Sequence, residues 1–260
     1  MGWALPDGWV RAGAMPADRA VAWAMVLARV LGLCLAAPGL AAPGLSWRFR
    51  LGLAGALGIV LAPALSGRVA VPTDRAAMAW AGVGELLTGA ILGMTAGLIV
   101  AGARAAGDLV SAQAGLSITT LFDPESGEEL TPLGRLYGWV ALAAFLALDG
   151  PLTLVRALAD SYEAIPAGGF PLSRPVLTEV LGQVGRALEL ALRAAAPPAI
   201  ALIMAGVAMA WLSRTAPTLP FFALALPVRV VLGAVLVLLG LAALTMTLAG
   251  AWEGLFGLVK

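Results

Sequence analysis

Charged residues are spaced along this chain so that they leave long apolar windows between them. Leu51 to Gly67 lies between Arg50 and Arg68, and Leu86 to Ala103 between Glu85 and Arg104. Ala194 to Ser213 carries no charge but contains Pro197-Pro198, and Val230 to Trp252 lies between Arg229 and Glu253. These windows hold 17 to 23 residues, close to the ~20 that a helix needs to cross a ~30 Å hydrocarbon core. Ala20 to Ala37 is a fifth candidate with Arg29 in its middle. Leu136 to Leu148 has only 13 residues, roughly 20 Å of helix. With Asp149-Gly150-Pro151 at its end, it reads as one arm of a helical hairpin that continues through Leu152 to Leu158. The pattern predicts an all-α membrane protein: several transmembrane-type helices plus short hairpins, in a single integral membrane domain over residues 1–260, with a short N-terminal segment at 1–19.

Two stretches depart from that pattern. Gly115 to Arg135 reads GLSITTLFDPESGEELTPLGR, with four acidic residues and two prolines. An uninterrupted membrane helix cannot carry them, so residues 115–135 are expected as a loop between helices. From Pro175 to Arg193, Val176, Leu177, Val180, Leu181, Val184, Leu188 and Ala191 recur at helical spacing. Glu179, Gln183, Arg186 and Arg193 lie opposite them, which predicts an amphipathic helix over 175–193 with one wet face. The duplicated Leu-Ala-Ala-Pro-Gly at 35–39 and 40–44 marks a turn. Gly89, Gly93 and Gly97 are four apart, and Ala101 and Ala105 prolong the row; small side chains on one helix face let a second backbone approach closely.

Composition narrows the function. Apolar residues make up 61% and charged residues 12% of the 260, a membrane-class balance. A net charge of +1 offers no footprint for nucleic acid. Cys34 is the single cysteine and histidine is absent, which excludes His-based nucleophile pairs and His-containing metal sites. The acidic group Asp123, Glu125, Glu128 and Glu129 lacks the alternating oxygen spacing of a calcium loop, and no phosphate-binding glycine fingerprint is present. No catalytic, cofactor or metal site is expected. A cleavable leader is conceivable at the N-terminus, but Arg29 interrupts its apolar run and many apolar segments follow.

Arg29, Glu85, Arg104, Asp108, Asp149, Arg156 and Asp160 fall within or at the edges of apolar stretches. Such charges must pair, face protein or line water. Arg104 and Asp108, four apart, can pair on one helix. A small secondary transporter would use Glu85, Arg104, Asp108 and Asp149 as ion sites, with inverted repeats that this sequence does not display. A multi-subunit assembly would use them as buried or intersubunit ties, and this fits better.

The order of motifs resembles the FliR family, the R-type subunit of the flagellar type III export apparatus. The resemblance runs through Arg48 to Ala54, Gly84-Glu85 with Gly89 and Gly93, and Ala106-Gly107-Asp108. It continues through Gly115-Leu116-Ser117, Phe122-Asp123-Pro124, Pro132, Arg135 and Phe145 to Gly150, and ends with Leu212 to Pro217 and Leu226-Pro227. It implies a helical export gate in the bacterial inner membrane, at the flagellar basal body, built with FliP-type and FliQ-type subunits beside an FlhB-type subunit. Unfolded substrate proteins would pass through. It also implies a plug at Gly115 to Pro124, with Ile118, Leu121 and Phe122 turned into the conduit ahead of Asp123 and Pro124. Ile118 and Leu121 stand where the family commonly has aromatics. The related T-type subunit of injectisomes has the same plan and is the alternative.

Overall fold

The computed structural model describes residues 17–40, 46–69, 74–116, 131–167, 174–215 and 221–257, all helix or short connection with no strand among them. Seven α-helices are described: α1 (Ala17–Ala36), α2 (Trp47–Leu65), α3 (Arg75–Ala114), α4 (Pro132–Ala147), α5 (Gly150–Ala164), α6 (Arg174–Thr215) and α7 (Phe221–Gly257). The chain falls into two compact units, one of residues up to Gly97 with Pro151–Leu181, the other of Leu98–Gly150 with Gly182–Leu258. α3 and α6 each contribute one end to each unit.

Local signals set the helix ends. Ser46 caps α2 by accepting the Phe49 N–H. Thr131 caps α4, with Pro132 in the first turn, where its missing N–H would have no partner in any case. α3 ends in a Schellman motif: Gly115, at φ 78°, donates to the Ala112 carbonyl, and Leu116 donates to the Ser111 carbonyl. The two arms expected around Asp149 are both helical. They are α4 and α5, separated by Leu148 and by Asp149 at φ 55°, a left-handed conformation uncommon outside glycine.

Among the described residues, four helices are long and apolar enough to cross a membrane: Asp18–Ala36, Trp47–Leu65, Ala76–Ala114 and Val176–Thr215. The bent pairs Pro132–Ala147 with Gly150–Glu163 and Pro227–Leu241 with Ala243–Trp252 raise the number to six if each is one span. Arg29, which made the first span doubtful, lies fully buried within α1. At 40 and 42 residues, α3 and α6 are each about 60 Å long, twice the hydrocarbon thickness.

In the first unit α1 packs on α2 at Gly58, where any side chain would overlap Leu27; Ala54, Ala62 and Leu65 are buried beside it. The outward side of α2 is apolar, with Ile59 and Val60 exposed. In the second unit Phe145 of α4 packs tilted against the buried Trp252 of α7, ring centroids 4.8 Å apart.

The segment expected as amphipathic is the first half of α6, where Arg186 and Arg193 are exposed. Gln183, assigned to the wet side, is buried with Ala187, Leu190 and Ala191. Leu181, Val184 and Leu188, assigned to the apolar side, are exposed. Gln183, Arg186 and Arg193 line a groove of about 610 Å³ with Ile99 and Met246. An apolar stripe turned outward in this way requires lipid or another protein against it.

Candidate functional site

The first unit is organised by a crossing of α1 and α3 so close that it excludes side chains. A Cβ at Gly32 would overlap the Leu86 carbonyl, and one at Gly89 would overlap the Arg29 carbonyl. One turn further, a Cβ at Gly93 would lie 2.6 Å from the Leu33 oxygen; at Gly97 the Ala36 oxygen would be 3.2 Å away. The alanines at 101 and 105, read as prolonging this row, are exposed. At 3.6 residues per turn, each four-residue step drifts by about 40°, so the row has left the contact face by Ala101.

This proximity brings two charges together. Arg29 donates from Nε to Glu85 Oε2 at 2.6 Å and from Nη2 to Oε1 at 3.1 Å, the bidentate geometry that suits a planar guanidinium. Both side chains have no exposed surface. Nη1 donates to Ser161 Oγ at 2.9 Å, Nη2 also reaches the Ile165 carbonyl at 3.2 Å, and Cζ lies 3.8 Å from the Tyr162 ring centre. Three helices, α1, α3 and α5, thus meet on one guanidinium. Glu85, expected as a buried or intersubunit charge, is a buried intrachain partner closed to solvent, a poor ion site for a transporter.

In the second unit α3 meets α4. A Cβ at Gly107 would overlap the Leu133 carbonyl, and one at Gly134 would overlap the Asp108 carboxylate. Thr131 donates to Asp108 Oδ1 from its hydroxyl at 2.6 Å and from its backbone N–H at 3.3 Å, while its Oγ accepts the Gly134 N–H at 3.1 Å. The pairing of Arg104 with Asp108 expected from their spacing is not made: Asp108 turns to the α4 cap, and Arg104 runs across Gly138, where a Cβ would lie 2.7 Å from its Nε. A cap hydroxyl and N–H presented together satisfy a carboxylate that Arg104 does not approach.

Of the expected plug, Gly115 is described and forms the turn that ends α3. Ile118, Leu121, Phe122, Asp123 and Pro124 lie outside the described residues. Thr131 and Asp108 bind the two flanks of that segment together. Asp149 is exposed at the α4–α5 break, and Arg156 and Asp160 are exposed on α5. Gly32, Ser161, Tyr162 and Thr131 were not singled out from the sequence. The Thr131-Pro132 pair is a readable cap signal; Ser161 and Tyr162 carried none, because Arg29 lies 132 residues before Ser161, with Tyr162 beside it.

Among the described residues the chain is helical, with four to six helices long and apolar enough to cross a membrane, and Arg29, Glu85 and Asp108 tie those helices to one another. The sequence profile of the bacterial export proteins, family 1, matches residues 20–255, and the chain belongs to that family. It is 33% identical over 208 residues to the flagellar biosynthetic protein FliR of Escherichia coli (strain K12), covering 80% of this chain and 79% of that one. The FliR of Pectobacterium carotovorum is 29% identical over 79% of this chain and 78% of its own. Yop proteins translocation protein T of Yersinia pestis is 26% identical over 73% of this chain and 74% of its own.

Proposed function

We propose that this chain is the R-type subunit of a flagellar type III protein export gate in the inner membrane, forming the secretion conduit with FliP-type and FliQ-type subunits. The observation that carries this reading is the family match across residues 20–255, joined to 33% identity with a flagellar biosynthetic protein over four-fifths of the chain. The helices support it physically. α3 and α6 exceed a bilayer span about two-fold, and their charged residues suit a body held largely by protein neighbours.

Within that gate, Gly115 to Pro124 is the plug, and Ile118, Leu121 and Phe122 form the apolar constriction. An apolar ring stops ions by dewetting, yet an unfolded polypeptide can push it aside. The Asp108–Thr131 bond supports this reading because it joins the flanks of the segment. FlhB-type and substrate contacts follow from the same assembly.

The test is an in-frame deletion of the gene, scored for swimming and for flagellin in the medium, with plasmid rescue. Cells that make flagellin, export none and recover with the plasmid are expected. Normal flagellin export defeats the flagellar reading. It leaves the injectisome T-type reading, favoured by the likeness to the Yersinia protein, to be scored by effector secretion. Deleting Gly115 to Pro124 in the assembled gate is expected to raise ion conductance; unchanged conductance removes the plug assignment.

A further inference from the structure

α1 and α3 run parallel. The backbone carbonyls that crowd the glycines of α3 advance in step with them, Arg29 against Gly89, Leu33 against Gly93 and Ala36 against Gly97. Crossing helices diverge on either side of their closest approach, so the gap between these two widens towards their N-terminal ends. The side chains there are too small to fill it. Ala20 and Ala24 of α1 with Ala79 and Gly82 of α3 line an apolar groove of about 480 Å³, and Met25 and Met78 stand in its walls. Ala20, Ala24 and Ala79 are exposed. A Cβ at Gly82 would meet nothing within 4 Å, unlike one at Gly89. The groove lies wholly in the first unit.

An apolar trough left empty forfeits dispersion contacts. A lipid tail, another subunit or the chain itself could supply them, and two observations favour the chain. The first is reach. The sixteen residues ahead of α1 lie outside the described ones, and they join the helix at Ala17. From there, Ala20 to Met25 are only about 5–12 Å along the axis. The eight residues from Trp9 to Ala17 span up to about 26 Å. Gly13 and Pro16 fall between them, residue types that favour a reversal of direction. So short a tether makes capture intramolecular, an advantage that a separate partner lacks. The second observation is the chemistry of the walls. Methionine thioethers adapt their shape and gain from contact with an aromatic ring, whereas a lipid tail gains nothing from sulfur. Trp3 and Trp9 are the aromatic residues of the preceding segment, and Trp9 closes the shorter loop.

We propose that the groove between the N-terminal ends of α1 and α3 seats the indole of Trp9, so that the chain's own N-terminal segment folds back across α1 onto α3. A tryptophan ring seated there buries about 150–250 Å². It braces the end of the helix pair that the glycine crossing leaves apart. The inference stands independently of the plug and of the export reading, since it needs only α1, α3 and the residues that lead into α1.

The experiment uses the full chain in native membranes. Cys34, buried and the single cysteine, is first changed by Cys34→Ala so that introduced thiols stand alone. Val10→Cys with Ala79→Cys tests proximity while Trp9 is intact, and a short bis-maleimide is expected to join the two. Adding Trp9→Ser should lower the cross-link yield about ten-fold, the order of one lost aromatic contact; Trp9→Phe should keep most of it. In a second measurement N-ethylmaleimide is expected to label Ala79→Cys about ten-fold more slowly in the Trp9 chain than in the Trp9→Ser chain. Val60→Cys, on the exposed side of α2, should label alike in both. Absence of the cross-link in the Trp9 chain overturns the proposal, and this result does not depend on the serine variant folding. A cross-link that Trp9→Ser leaves unchanged removes the indole from the groove. Labelling of Ala79→Cys that ignores Trp9 also overturns the proposal and gives the groove to lipid or to another subunit.

Discussion

α3 is crossed by partner helices in both units, and the two crossings solve the same problem with different chemistry. At its N-terminal end, glycines 32 and 89 bring α1 and α3 together, and a carboxylate is neutralised by a charge, Arg29 against Glu85, without solvent. At its C-terminal end, glycines 107 and 134 bring α3 and α4 together, and a carboxylate is satisfied by a neutral cap, Asp108 against Thr131, in a partly buried position. The comparison teaches that close backbone approach is the common device. How the charge is satisfied follows from how much water remains.

That difference can be broken by mutation, beginning with the largest effect. Glu85→Ala leaves Arg29 charged and buried, and it should cost about 3–5 kcal/mol, read as loss of folded protein in membranes and a lowered unfolding midpoint. The double change Arg29→Met with Glu85→Leu should recover most of this, since an apolar pair carries no desolvation penalty. An equal cost for Glu85→Ala and Asp108→Ala would erase the distinction between the crossings.

Next come the glycines. Gly89→Ala drives a methyl into the Arg29 backbone and should cost about 1–3 kcal/mol, checked in the same unfolding series. Thr131→Ala removes both the α4 cap and a donor to Asp108; about 0.5–2 kcal/mol is expected, with Thr131→Ser retaining most of the stability. At the small end, Gly55→Ala meets nothing within 4 Å and should stabilise α2 by up to about 1 kcal/mol. Stabilisation by Gly89→Ala of the same size as that by Gly55→Ala would show that helix propensity, rather than close approach, governs these glycines.

The parts legible in the sequence are those written in local pattern. Charge-free windows marked the spans, and the Gly89-Gly93-Gly97 row sits on a contact face. The row was carried too far, to Ala101 and Ala105, because a pattern of fours drifts around a 3.6-residue helix. Gln183 was placed on the wrong side because hydrophobic periodicity tells which residues share a face, not whether that face turns toward the chain or away from it. Arg104 and Asp108 were paired by spacing alone, and Thr131, 23 residues from Asp108, proved the better partner.

What the sequence by itself determined is the class: an apolar, histidine-free chain, helical among the described residues, with helix breaks at residues 37–40 and 148–149, since these depend on composition and on short-range sterics. Only the tertiary structure decided which charges meet. Arg29 reaches Glu85 across 56 residues and Ser161 across 132. A guanidinium chooses its acceptors by what lies within about 3 Å, a distance set by helix crossing and invisible in chain order.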